Sequence, residues 1–214
     1  MEQLEMMPIR VRITSILRKA IYAGDYRSGD ELSLTDVANQ LGVSRTPVRE
    51  AFQELEAEGL ITLRMNKGAI VNTIDRKFIR DIFEMRILLE SEAAARAARN
   101  GMETDALLGR LYALRGQMDH LDREEYVRLN QELHLSIWKA ADNHRLQKFL
   151  LEMWNGPSFT GGSNAELRHY RQSTDEHIAI LLAIAEGREQ EARRAMEGHI
   201  ARSMDNILAR YAGE

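Results

Sequence analysis

Residues 41–51 read Leu41-Gly42-Val43-Ser44-Arg45-Thr46-Pro47-Val48-Arg49-Glu50-Ala51 and hold two helix signals back to back. Gly42 is a natural stop for a helix carrying Val37, Ala38 and Leu41, because glycine adopts the left-handed conformation that closes helices. That helix opens at Ser33-Leu34-Thr35-Asp36, a capping-box pattern in which Asp36 can reach back to the Ser33 amide. A second helix starts at once. Ser44 can cap it, and Pro47 falls in its first turn, where a missing N–H costs nothing. Val48, Ala51, Phe52 and Leu55 then form its apolar stripe. Upstream, Ile9, Ile13, Ile16, Leu17, Ala20 and Ile21 recur at helical spacing. Downstream, Leu60-Ile61-Thr62-Leu63-Arg64, the turn Met65-Asn66-Lys67-Gly68 and Ala69-Ile70-Val71 read as strand, turn, strand.

Helix, tight turn, helix and hairpin is the order of a winged helix-turn-helix, whose second helix enters the DNA major groove. Arg45 and Arg49 are four apart and so share one face of the helix. Arginine pairs bidentately with guanine O6 and N7, and Ser44 or Thr46 can reach phosphate from the helix N-terminus. Lys67 and Gly68 at the hairpin tip suit a wing, lysine for backbone charge and glycine for close approach. Charge alone argues less clearly. Residues 1–75 hold nine Lys+Arg and eleven Asp+Glu, a net of −2, with much of the acid in Glu50, Glu54, Glu56 and Glu58. On spacing alone, surface arginines on a partner-binding helix remain an alternative.

The full chain has 214 residues and a net charge of −4, so bulk electrostatics do not point to nucleic acid. With no cysteine there is no disulfide, zinc ribbon or thiol nucleophile, which fits a cytoplasmic protein. No apolar run approaches the ~20 residues that span a bilayer, and Met1–Arg10 lacks a signal-peptide core, so no membrane partner is expected. Beyond Asp75 strand signals vanish. Six helical stretches come next, near 76–99, 103–120, 122–141, 144–155, 164–186 and 188–211. The expected fold class is mainly α: an N-terminal winged helix-turn-helix over 1–74 and a C-terminal all-α bundle of about six helices over 75–214.

Polar residues interrupt three apolar stripes of that bundle. Tyr126, Asn130, Leu133, His134, Ile137 and Ala141 share one face. Tyr170, Thr174, His177, Ile178, Leu181 and Ala185 share a second, and Ala192, Met196, His199, Ile200, Ser203 and Ile207 a third. Three inward histidines, with the Asn130 oxygen one turn before the first, can form a divalent-metal site with positions open to an anion. Three separate hydrogen-bonded core histidines are the alternative. Arg86 can hold a carboxylate or pair with Glu90 at i,i+4. Trp138, Trp154 and Tyr126 read as core.

The 41–51 stretch, with Leu55, Glu58-Gly59-Leu60-Ile61 and Gly68, resembles the DNA-binding head of GntR-family transcription regulators. That resemblance implies operator contacts from Arg45, Thr46 and Arg49 and a wing at Lys67-Gly68. The pattern Asn130-x3-His134, Asp175-Glu176-His177-x2-Ile180-x2-Ala183 and Ala192-x3-Met196-x2-His199 is similar to the FCD effector domain of the FadR subfamily. It implies an all-helical bundle whose metal is held by an acidic residue and three histidines. Here Asn130 stands where many members carry Asp, so the oxygen ligand brings no charge.

The resulting expectation is a ligand-responsive regulator, a repressor, binding a palindromic double-stranded DNA operator as a homodimer. A small organic acid or carboxylate effector is sensed near Arg86, Asn130, His134, His177 and His199, with zinc or nickel on the last four. The competing class is a metal-dependent enzyme built on His134, His177 and His199. Against it, the chain has no His-Glu-x-x-His, Gly-x-Ser-x-Gly or P-loop motif.

Overall fold

The computed structural model describes residues 7–65, 68–118, 122–154 and 164–210. They divide into two compact units: 7–82 with Trp154 and 204–210, and 83–153 with 164–203.

The first unit contains α1 (Ile9–Tyr22), β1 (Glu31–Leu32), α2 (Leu34–Leu41), α3 (Arg45–Ala57), β2 (Ile61–Arg64) and β3 (Gly68–Val71). Gly42 takes φ 64° and ψ 34°, and the Val43 N–H donates to the Ala38 carbonyl at 3.0 Å, so α2 ends as its sequence requires. The Ser33 hydroxyl accepts the Asp36 N–H at 3.3 Å, the forward half of the capping box. Ser44 precedes α3 in extended conformation but makes no side-chain cap. Its expected capping role is therefore corrected, and the residue is exposed.

Val48, Ala51, Phe52 and Leu55 are all buried, as are Ile13, Leu17 and Ile21 of α1, which packs on α3. Ile9 and Ile16 remain 45% and 43% exposed, because the buried face of α1 runs through 13, 17 and 21. The sheet has the order β1-β3-β2, antiparallel throughout. β1 escaped the sequence reading, since two residues cannot show an alternation. It pairs Glu31 with Ile70 and Leu32 with Ala69. At Gly68, with φ 89°, a Cβ atom would fall 2.0 Å from the Leu32 carbonyl oxygen. Glycine there lets β1 approach β3, a reason internal to the fold.

The remaining helices are α4 (Arg76–Arg99), α5 (Asp105–Gly116), α6 (Arg123–Ala140), α7 (His144–Glu152), α8 (Asn164–Ala185) and α9 (Glu189–Arg210). Asp122 caps α6 by accepting the Glu124 and Glu125 N–H groups, and Asn143 caps α7 through Arg145 and Leu146. Leu107, Leu111 and Leu114 of α5, and Met118 just beyond it, are buried, and α5 packs on α6 and α8. Ala93, Ala94, Ala95, Ala97 and Ala98 are buried in the C-terminal part of α4. Ala185, expected on the inward stripe of α8, is exposed at the helix end. Among the described residues no helix is long and apolar enough to cross a membrane.

Candidate functional site

Within the first unit, α3 and the hairpin enclose a notch. Ser33, Thr35, Arg45, Arg49, Gln53, Arg64 and Gly68 line it, with Leu34, Leu63 and Met65. Arg45, Thr46 and Arg49 are exposed, and among the described residues neither arginine has an ion-pair or hydrogen-bond partner. Lys67 lies outside the described residues.

The acidic half of α3 has a structural use. Glu54 pairs with Arg10 and accepts the Thr14 hydroxyl at 2.7 Å. Glu56 accepts the Leu63 N–H at 2.8 Å, holding the start of the hairpin. Glu58 takes Arg18 through both Nε and Nη2, and Arg18 Nη1 donates to the Trp154 carbonyl at 2.6 Å. Three of the four glutamates that made the head look acidic are therefore neutralised or occupied inside it. Arg45 and Arg49 are left facing outward.

In the second unit, α6, α8 and α9 bring His134, His177 and His199 together. All three are buried, and one nitrogen from each lies within 4.8 Å of the others. His177 Nε2 is 3.2 Å from His199 Nε2. Glu90 Oε2 lies 2.7 Å from His134 Nδ1, and Glu176 Oε2 lies 2.7 Å from His199 Nδ1.

Electrostatics fix the tautomers. Burial acts to raise the Glu90 pKa, but Arg86 and His134 outweigh it and hold the carboxyl at about 2. Burial likewise opposes ionisation of Glu176, and His199 and Arg202 outweigh it, holding the group below the usual carboxylate range. An ionised carboxylate only accepts, so His134 and His199 must each carry a proton on Nδ1. In their neutral forms both present an Nε2 lone pair. Burial pushes His177 well below its ordinary pKa, helped by His199 and His134, and burial also lowers His199.

This donor set fits a divalent ion. Carboxylates that accept the outer N–H of ligating imidazoles fix the ring and raise its basicity. Two nitrogens each about 2.0–2.1 Å from zinc lie roughly 2.9–3.4 Å apart, and the His177–His199 separation falls in that span. Asn130 is buried one turn before His134. Arg86 forms the i,i+4 pair with Glu90. Its Nε and Nη2 donate to Glu90 Oε1 at 3.1 and 2.6 Å, while the buried Nη1 has no partner among the described residues.

Glu176 and Arg202 were missed in the sequence. Arg202 binds Glu176, Ser173 and His169 Nδ1, so it braces the carboxylate that orients His199. The only sequence signal was an acidic residue beside an inward histidine. Tyr126, Trp138 and Trp154 are core residues, 2%, 1% and 2% exposed.

Residues 81–202 match the FCD domain family, and residues 9–71 match the bacterial regulatory proteins of the gntR family. The chain belongs to the GntR family and carries an FCD domain. It is a DNA-binding transcriptional regulator of that type. The Nta operon transcriptional regulator of Aminobacter aminovorans is 27% identical over 86% of this chain and 87% of its own. The gluconate operon transcriptional repressor of Bacillus subtilis is 31% identical over 68% of this chain and 58% of its own. E. coli McbR/YncC shares the fold, with a TM-score of 0.67 and 21% identity over 96% of this chain and all of that one.

Proposed function

We propose that the protein is a metal-dependent, ligand-responsive repressor that acts as a homodimer on a palindromic operator. Residues 1–74 supply the DNA-reading head, and 75–214 the effector-binding and dimerising bundle. Arg45 and Arg49 read base edges while Ser44 and Thr46 take phosphate, and Lys67 and Gly68 form the wing. The repressor reading is supported by relatives named as operon repressors, the gluconate repressor among them.

The observation that carries the effector site is the set of three buried imidazoles, two of them oriented by ionised carboxylates. His134, His177 and His199 would hold zinc or nickel, with Asn130 as an uncharged oxygen ligand. A bound ion would supply a Lewis-acidic centre with positions open to an anion. Arg86 Nη1 supports a carboxylate effector, since a buried guanidinium N–H without an acceptor is costly until a ligand oxygen meets it. Native mass spectrometry of the purified protein tests this directly. One divalent ion per chain is expected, and an ion-free chain that takes up neither zinc nor nickel overturns the metal reading.

Dimerisation is supported by operator physics, because one head reads too few base pairs for useful specificity. Met85 and Leu88, 48% and 63% exposed at i,i+3 on α4, are apolar surface suited to a second subunit. Sedimentation of the full chain should give a dimer that Leu88→Glu weakens. A monomeric wild type at micromolar concentration would reverse the assignment.

A further inference from the structure

The head offers one more side chain to DNA than the arginines account for. Gln53 stands eight residues after Arg45 and four after Arg49, lines the same notch, and is exposed. Among the described residues it has no hydrogen-bond partner, so the fold makes no use of its amide. Its neighbours are all committed. Phe52 and Leu55 are core, and Glu54 is taken by Arg10 and Thr14.

The spacing gives the position a chemical meaning. Four residues of α-helix rise about 6 Å, close to two base-pair steps of about 3.4 Å. Arg45, Arg49 and Gln53 thus form a ladder whose rungs lie about two base pairs apart on one face. A primary amide carries a donor and an acceptor together, which matches the N6 donor and N7 acceptor of adenine. A phosphate would use only the donor and would be better served by a cation.

We propose that Gln53 is a third base-reading residue, selecting adenine about two base pairs beyond the contact of Arg49. The inference rests on the reading of α3 as the major-groove helix and deepens it. Each half-site would then carry an A·T pair at a fixed distance from the pairs read by the arginines.

Selection of the full-length protein against a randomised duplex library, with anisotropy titrations of the recovered site across salt, tests this. Gln53→Ala should recover the wild-type site with one pair per half-site flattened, a roughly ten-fold loss of discrimination there, and an unchanged salt slope. Gln53→Glu should move the preference at that pair toward cytosine, whose N4 group donates to a carboxylate. Arg49→Ala is the reference. If it alters the selected site while Gln53→Ala does not, the role of Gln53 is overturned and the helix assignment stands. If both leave the site unchanged, the helix assignment falls and the Gln53 role with it. A Gln53→Ala loss that is uniform over sequence with a shallower salt slope makes the residue a phosphate contact and overturns the inference. Because Gln53 is exposed and makes no hydrogen bond among the described residues, thermal melts of its variants should match wild type.

Discussion

The Nε2 atoms of His177 and His199 lie 3.2 Å apart, although the rings come from α8 and α9. His199 donates its Nδ1–H to the Glu176 carboxylate, so in the neutral pair the short contact holds one lone pair and one proton from His177. Burial holds both imidazoles below the ordinary histidine pKa; His199 and His134 lower His177 further, whereas the hydrogen bond to Glu176 opposes the lowering at His199. Taking up a cation there would require that His177 move its proton to Nδ1, so that both Nε2 atoms present lone pairs.

Zinc or nickel should raise the melting temperature and a chelator should lower it, since an ion that binds only the folded chain stabilises it. His177→Ala should abolish the shift. Asn130→Asp separates two readings by sign. It adds a carboxylate beside a bound ion and should tighten binding, whereas in the chelated protein it buries a further charge and should cost a few kcal/mol. Melts of both proteins with metal and with chelator decide it, and the absence of any metal-dependent shift leaves three core histidines.

Acid should destabilise the chelated protein in two windows. His177 and His199 bind protons more weakly folded than unfolded, so their contribution is complete above about 6.5 and is lost as pH falls below it. Glu90, held at about 2, and Glu176 contribute fully above about 4.5 and lose that contribution as pH falls further. Denaturation midpoints across pH should therefore fall below about 6.5 and again below about 4.5. His177→Gln should flatten the upper window. A protein that gains stability between about 6.5 and 5 would show that the histidines stabilise as cations.

Arg18 is 2% exposed, and its charge is matched by Glu58 at the end of α3. Glu58→Ala removes the carboxylate that takes two N–H groups of this buried guanidinium and should cost about 3–5 kcal/mol. Arg18→Met with Glu58→Met should recover much of that loss, because no charge is stranded. Urea denaturation of the three proteins checks the order. Equal stability of Glu58→Ala and wild type would mean that solvent reaches Arg18.

Arg49→Ala should cost about 1–3 kcal/mol at its own base pair and relax specificity there. Lys67→Ala should weaken all duplexes alike and lower the salt slope by about 0.9. Full-affinity, sequence-selective binding by an Arg45→Ala/Arg49→Ala protein would remove α3 from the interface.

Local physics made most of the fold legible. Gly42 ends α2, Asp122 and Asn143 open α6 and α7, and the stripes around His134, His177 and His199 name three inward faces, because caps and periodicity depend on residues within one or two turns. Pairings that arise only when helices meet were not legible. Glu90 and Glu176 lie 44 and 23 residues from the imidazoles they orient, and no spacing rule links them. The same holds for Glu54 and Glu58, which read as an acidic surface until α1 packed Arg10, Thr14 and Arg18 against them. Residue types and helical faces were fixed by the chain itself. Which charges are cancelled, which imidazole nitrogen carries the proton and which guanidinium N–H stays open were decided by burial and by the partner that packing delivered, since only in a dry interior does one neighbouring charge set a proton's position.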